Sequence, residues 1–216
     1  MPVEVKVCGL TRAIDAEAAD AAGAAYLGVI FAGGPRQRTV AEARGTLAGR
    51  RARKGGVFAD QSGAEIADIA SEIGLDVAQL HGGATVERIH AVRAATGLEV
   101  WAVVRTADGV LPADVDDVAD AADALLIDAL VPGKLGGSGT AVPWGILGES
   151  LDAMESGHRL VLAGGLTADN VAEAIGYVSP MIVDVSSGVE TSPGVKDAAR
   201  IRAFIAAVRA TADLSD

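Results

Sequence analysis

Cysteine occurs once in this chain, at Cys8. That excludes an intramolecular disulfide and a multi-thiolate metal site. The three histidines, His81, His90 and His158, are scattered, so the sequence offers no metal-binding cluster and no metal is expected. Aromatic residues make up only 3% of the 216 residues, although 50% are hydrophobic. The core must then be built from Val, Ile and Leu with abundant Ala and Gly, a composition that suits helices packed closely on apolar strands. Positive charge is also short: 18 Lys and Arg face 29 Asp and Glu, for a net charge of −11. That balance excludes a general nucleic-acid binder, which needs a basic face for phosphate contacts. A phosphate ligand would have to be held by backbone dipoles and a few arginines. No apolar run approaches the ~20 residues of a membrane span, and no basic leader precedes an apolar segment. The expectation is a soluble, cytoplasmic chain with no membrane partner.

What the chain does contain is regular alternation. Short apolar runs recur at Val3 to Cys8, Tyr26 to Phe31, Gly55 to Ala59, Val77 to Leu80, Leu98 to Val104, Ala124 to Asp128, Leu160 to Ala163 and Pro180 to Val185. Helix-like segments lie between them at Arg12 to Ala22, Ala41 to Arg53, Ala64 to Ile73, Val86 to Ala95, Pro143 to Met154 and Asp169 to Gly176, with another at Asp197 to Ala210. The interval Ala107 to Ala122, rich in Asp, is a poor helix. Strands alternating with helices require parallel pairing and right-handed crossovers. Eight such units predict an α/β fold, a closed (β/α)8 TIM barrel forming one domain over residues 1–216, with a doubly wound open sheet as the structural alternative.

In a barrel the chemistry sits on the loops after the strands. Strand one delivers Cys8 and Gly9 there, just before a helix whose N-terminal dipole favours a thiolate. A lone cysteine is also a common core residue, so inert packing is the competing reading. Strand two is followed by F-A-G-G-P-R-Q-R, which places Arg36 and Arg38 near the mouth as candidates for bidentate carboxylate binding. Strand four ends at His81, either a ligand contact or a loop hydrogen-bonding residue. Strand six ends L-L-I-D, and the apolar run before Asp128 would raise its pKa toward acid–base use. Gly164 and Gly165 after strand seven, with Ser187 and Gly188 after strand eight, suit a phosphate held by backbone amides. Gly137 in the glycine loop after strand six could close over the same phosphate. Asp184, inside strand eight, is a further candidate contact to substrate hydroxyls or a structural hydrogen-bonding group.

Together these strings resemble one family, the phosphoribosylanthranilate isomerases of tryptophan biosynthesis. The resemblance is carried by V-K-V-C-G-L-T, G-V-I-F with the following P-R, V-F-A, Q-L-H-G, L-L-I-D, G-G-S-G-T before Trp144, L-A-G-G-L-T-A-D-N-V and V-D-V-S-S-G-V-E with P-G-V-K-D. They run in order from strand one to the last helix. The resemblance implies a cofactor-free isomerase that performs an Amadori rearrangement on a small phosphorylated substrate, as a monomer or homodimer. It implies Asp128 as general acid and Cys8 as general base, with Arg36 on the anthranilate carboxylate. The family's P-R-x-V appears here as P-R-Q-R-T-V: the Pro aligns Arg36 and the Val aligns Arg38, so Arg38 is the alternative. The rival functions are a histidine-pathway aminoaldose isomerase, which uses two aspartates, and a non-catalytic phosphate-binding or redox-sensing barrel.

Overall fold

The structure, a computed structural model, describes residues 2–129, 143–154 and 157–212. Eight parallel strands close into a barrel in chain order, β1 (Glu4–Val7), β2 (Tyr26–Ile30), β3 (Arg53–Phe58), β4 (Val77–Leu80), β5 (Glu99–Thr106), β6 (Ala124–Ala129), β7 (Leu160–Ala163) and β8 (Ile182–Val185), with β8 hydrogen-bonded back to β1. The open-sheet alternative is thereby excluded. Helices α1 (Ala13–Ala22), α2 (Val40–Leu47), α3 (Gly63–Ile73), α4 (Val86–Thr96), α5 (Val115–Ala121), α6 (Trp144–Asp152), α7 (Val171–Val178) and α8 (Ala198–Ala210) follow the strands. A short hairpin, β9 (Glu190–Ser192) and β10 (Val195–Lys196), is inserted between β8 and α8.

Strand parity decides what reaches the barrel axis. Along β1, Val5 and Val7 join the layer beneath the helices, which turns Lys6 inward. Along β6, Leu125 and Ile127 join that outer layer while Leu126 joins the inner cluster. Asp128 shares the parity of Leu126. Along β8, Val183 and Val185 pack outward and Ile182 inward, which sets Asp184 on the axis beside Lys6. Each of these three strands thus uses its outward Val, Leu or Ile residues to hold a polar group inside.

Four departures from expectation have local reasons. Helix α2 stops at Leu47 rather than Arg53: Ala48 has extended ψ, Gly49 adopts φ +71°, and Arg53 already belongs to β3. The interval before β6 does form a helix, α5, shorter than the interval allows. Strand β8 starts at Ile182, two residues beyond Pro180, which lacks the N–H a ladder uses. The hairpin was not legible because each of its strands has only two or three residues.

At the N-terminal mouth a layer of four side chains comes from the odd-numbered strands. Glu4 opens β1, Arg53 opens β3, Glu99 opens β5 and Arg159 precedes β7. Their signs alternate, and they are joined by ion pairs of 3.3 Å (Arg159–Glu4), 3.2 Å (Arg159–Glu99) and 2.8 Å (Arg53–Glu99). The Tyr26 hydroxyl sits among them and its ring meets Trp101 edge-on at 5.0 Å.

Candidate active site

The opposite mouth is built around a buried ion pair. Lys6 Nζ donates to Asp184 Oδ2 at 2.7 Å and to Gln79 Oε1 at 2.8 Å, and all three residues are buried. Asp184 Oδ1 has no hydrogen-bond partner among the described residues. Cys8 lies two residues beyond Lys6 with its side chain buried. Gly28 makes room for it: a Cβ at that position would lie 2.8 Å from Sγ. Burial pushes the Cys8 thiol up from its ordinary value, opposed by the charges of Lys6 and Lys196 and reinforced by Asp184. The net shift is upward, against the lowering expected from a helix N-terminus, and desolvation of the thiolate is its largest cause.

Asp128 ends the inward row of β6, with its side chain 17% exposed. Burial raises its carboxyl above the ordinary range; Arg105, 3.9 Å away, pulls the other way, and Asp184 adds to the rise. His81 follows β4. Burial first, then the charges of Arg105 and Lys6, lower its pKa to about 4, so it is neutral at physiological pH, and its Nδ1 has no partner among the described residues. The Lys6–Asp184 pair thus acts electrostatically on Cys8, Asp128 and His81 alike. Lys6 was missed from sequence, although a lysine at the inward position of V-K-V was a readable signal.

Arg36 and Arg38 occupy different surroundings. Arg36 Nε and Nη2 donate side-on to the two oxygens of Glu190 at 2.8 and 2.6 Å. Glu190 also accepts from Lys196 Nζ at 2.8 Å. Burial disfavours the Glu190 charge, yet the hydrogen bonds from Arg36 and Lys196 hold its pKa below the ordinary value. Arg38 reaches instead toward Glu42 on α2, at 3.4 Å. Pro35, Arg36, Ser186, Ser187 and Glu190, with the turn after Glu190, line a cleft of about 280 Å³.

The glycine turns after β7 and β8 lie against each other. Gly164 and Gly165 have φ +97° and +64°, conformations that disfavour any side chain. Gly188 lies in the 3₁₀ turn Ser187–Val189, where an added Cβ would come within 1.9 Å of the Leu166 carbonyl oxygen. Its missing side chain therefore permits close approach between the two turns. Lys196 Nζ donates to the Ser186 carbonyl at 3.1 Å, which ties this turn to the hairpin. Gly137 and the rest of its glycine loop lie outside the described residues. Among the described residues no cluster of His, Cys, Asp and Glu could hold a metal, and no helix is long and apolar enough to cross a membrane.

The family model described as N-(5'-phosphoribosyl)anthranilate (PRA) isomerase matches residues 5–207, nearly the whole barrel. The chain belongs to the phosphoribosylanthranilate isomerase family. It is 40% identical over 220 residues to the N-(5'-phosphoribosyl)anthranilate isomerase of Rhodopseudomonas palustris, covering 99% of each chain. The phosphoribosylanthranilate isomerase structure from Thermus thermophilus superposes with a TM-score of 0.81 at 36% identity, covering 98% of this chain and 100% of that one. A second phosphoribosylanthranilate isomerase structure, in complex with reduced 1-(o-carboxyphenylamino)-1-deoxyribulose 5-phosphate, superposes with a TM-score of 0.80 at 29% identity over 96% of this chain and 99% of that one. As a member of this family the chain is an isomerase of tryptophan biosynthesis. The histidine-pathway and non-catalytic readings are set aside.

Proposed function

We propose that the rearrangement of N-(5-phosphoribosyl)anthranilate to 1-(2-carboxyphenylamino)-1-deoxyribulose 5-phosphate is carried by Asp128 as general acid and Cys8 as general base, without a cofactor. Asp128 protonates the ribose ring oxygen, the C1–O bond breaks, and the nitrogen lone pair forms the C1 imine as its cation. Cys8 then removes the C2 proton, and the electrons left behind neutralise the nitrogen to give an enolamine. Protonation of that enolamine at C1, with loss of the C2 hydroxyl proton, yields the ketone. The observation that carries this reading is the pair of environments: two ionisable groups at the ends of β1 and β6 share one mouth around Lys6 and Asp184.

The raised pKa of Asp128 keeps a larger protonated fraction near neutrality, as a general acid requires. Burial works against Cys8 as a base, so the charges that favour its thiolate become functionally important. Lys6 and Lys196 supply two of them, and the iminium cation formed by ring opening supplies a third at the moment the base is needed. Asp184, with its unpaired Oδ1, and neutral His81 are placed to contact the sugar hydroxyls. The paired turns at Gly164–Gly165 and Ser187–Gly188 hold the phosphate.

Arg36 holds the anthranilate carboxylate. It lines the cleft, whereas Arg38 is turned toward Glu42. Arg36→Ala should weaken productive binding by about 2 to 4 kcal/mol, the range for a charge-assisted bidentate contact shielded from water, and Arg38→Ala should do much less. The reverse order in measured kcat/KM would transfer the role to Arg38. Turnover itself is tested by following the fluorescence of the anthranilate adduct with purified protein. Decay no faster than spontaneous breakdown would overturn the proposal.

A further inference from the structure

An arginine has five N–H donors, and an edge gripped by one carboxylate remains able to present a second edge to another. Arg36 shows that division of labour. Its Nε and Nη2 are used side-on by Glu190, and among the described residues no acceptor meets the end-on edge formed by Nη1 and Nη2. The guanidinium is anchored yet not sealed in: the Arg36 side chain is 17% exposed, the Glu190 side chain only 5%. Its stem passes close over Gly9, where an added Cβ would lie 2.6 Å from Arg36 Cδ. Gly9 is the residue that follows Cys8, so the same turn sets the thiol and the arginine.

Glu190 is in turn held from several directions. Its Oε1 accepts from Lys196 Nζ at 2.8 Å and from the Gly194 backbone at 3.2 Å, while its own carbonyl accepts from Arg200. Lys196 has a fully buried side chain and also binds Ser186, where the turn after β8 begins. Two cations therefore share one carboxylate, and the cluster has room for a further anion at the free edge of Arg36.

We propose that Glu190 is a positioning residue for substrate recognition: carried by the β9–β10 hairpin, it grips one edge of Arg36 and presents the other to the carboxylate of the aromatic ring. This rests on the reading of Arg36 given above. Glu190 does not act as a stand-in that the substrate must displace. The two roles predict opposite signs. A positioning carboxylate, once removed, leaves Arg36 free to wander and weakens binding; a competing one, once removed, tightens it.

The test is calorimetric titration of two probes, reduced 1-(o-carboxyphenylamino)-1-deoxyribulose 5-phosphate and the same molecule lacking the ring carboxylate. Glu190→Gln keeps the shape and an acceptor for Lys196. It should weaken the carboxylated probe by about tenfold to a hundredfold, the usual cost of removing a partner that orients a binding group, and leave the other probe unchanged. In turnover the same variant should raise KM and spare kcat. Arg36→Ala should abolish the preference for the carboxylated probe. If Arg36→Ala removes the preference but Glu190→Gln binds the carboxylated probe as well as or better than the parent, the inference on Glu190 fails and Arg36 stands. If Glu190→Gln weakens both probes equally, its role is merely structural and the inference fails. If Arg36→Ala keeps the preference, the reading of Arg36 fails first. Should Glu190→Gln not fold, Glu190→Gln/Lys196→Met removes both buried charges together and is read by the titration of the two probes alone, since Lys196 also acts on Cys8.

Discussion

The two mouths of the barrel are made from similar residues and differ in how their charges are matched. At the N-terminal mouth, Glu4, Arg53, Glu99 and Arg159 alternate in sign around the axis, and each has an opposite neighbour. At the C-terminal mouth, Asp128 and Asp184 lie near one another, Asp184 keeps one oxygen without a partner among the described residues, and a buried thiol and a half-buried neutral histidine feel the same charges. In the first arrangement the charges are paired; the second holds groups whose pKa values are shifted from the ordinary range. On the proposed mechanism, matched charge closes one end of the barrel and mismatched charge prepares the other for proton transfer.

The comparison is broken most directly by exchanging the consequences of the two ends. Asp128→Asn should lower kcat by about 10² to 10⁴, the usual contribution of a general acid, with little change in unfolding free energy. The next effect is on the fold beside the site. Gly188→Ala drives a Cβ into the Leu166 carbonyl and should destabilise by about 3 kcal/mol, as overpacking against a rigid backbone does. Gly165→Ala meets open space and suffers only its positive φ, so about 1 kcal/mol is expected. Denaturant titration of both variants checks the order. At the other mouth, Arg159→Met should lower stability by about 1 kcal/mol, since its ion pairs are partly solvated, and leave kcat unchanged. A kcat that fell with Arg159→Met would erase the distinction between the ends.

The last effect concerns pH. His81 titrates at about 4 when folded and at its ordinary 6.5 when unfolded. Between those values the unfolded chain binds more protons, so this group's contribution is present above about pH 6.5 and is lost as pH falls toward 4. His81→Gln should flatten the fall in unfolding free energy across that window. An unchanged slope would mean that His81 is not held neutral by its surroundings.

How much of this was readable in the sequence depends on the range of the interaction. The closed barrel was, because eight short apolar runs alternate with helix-like segments; β4 and β7 begin and end at the expected residues. Cys8 and Asp128 were readable as candidates because a strand end in a barrel is a defined place. The charge layer from β1, β3, β5 and β7 was not, since Glu4 and Arg159 are 155 residues apart. Nor was the grip of Glu190 on Arg36, which joins residues 154 apart through a hairpin too short to show a pattern. Lys6 illustrates the middle ground: strand parity sends it inward, but only the closed barrel brings Asp184 to meet it. The thiol's raised pKa was misjudged because a nearby helix start is visible in sequence and the depth of burial is not.

The central claim is that Cys8 moves a proton rather than fills space, and Cys8→Ser tests it. Serine is smaller by little and keeps a hydroxyl donor, but without an adjacent histidine it is far too weak a base. The account predicts that folded Cys8→Ser, verified by circular dichroism, loses about 10² to 10⁴ in kcat while binding of the reduced product analogue stays close to that of the parent. Near-normal kcat in the folded variant would contradict the account, remove Cys8 from the mechanism and leave Asp128 or Asp184 to carry both proton transfers.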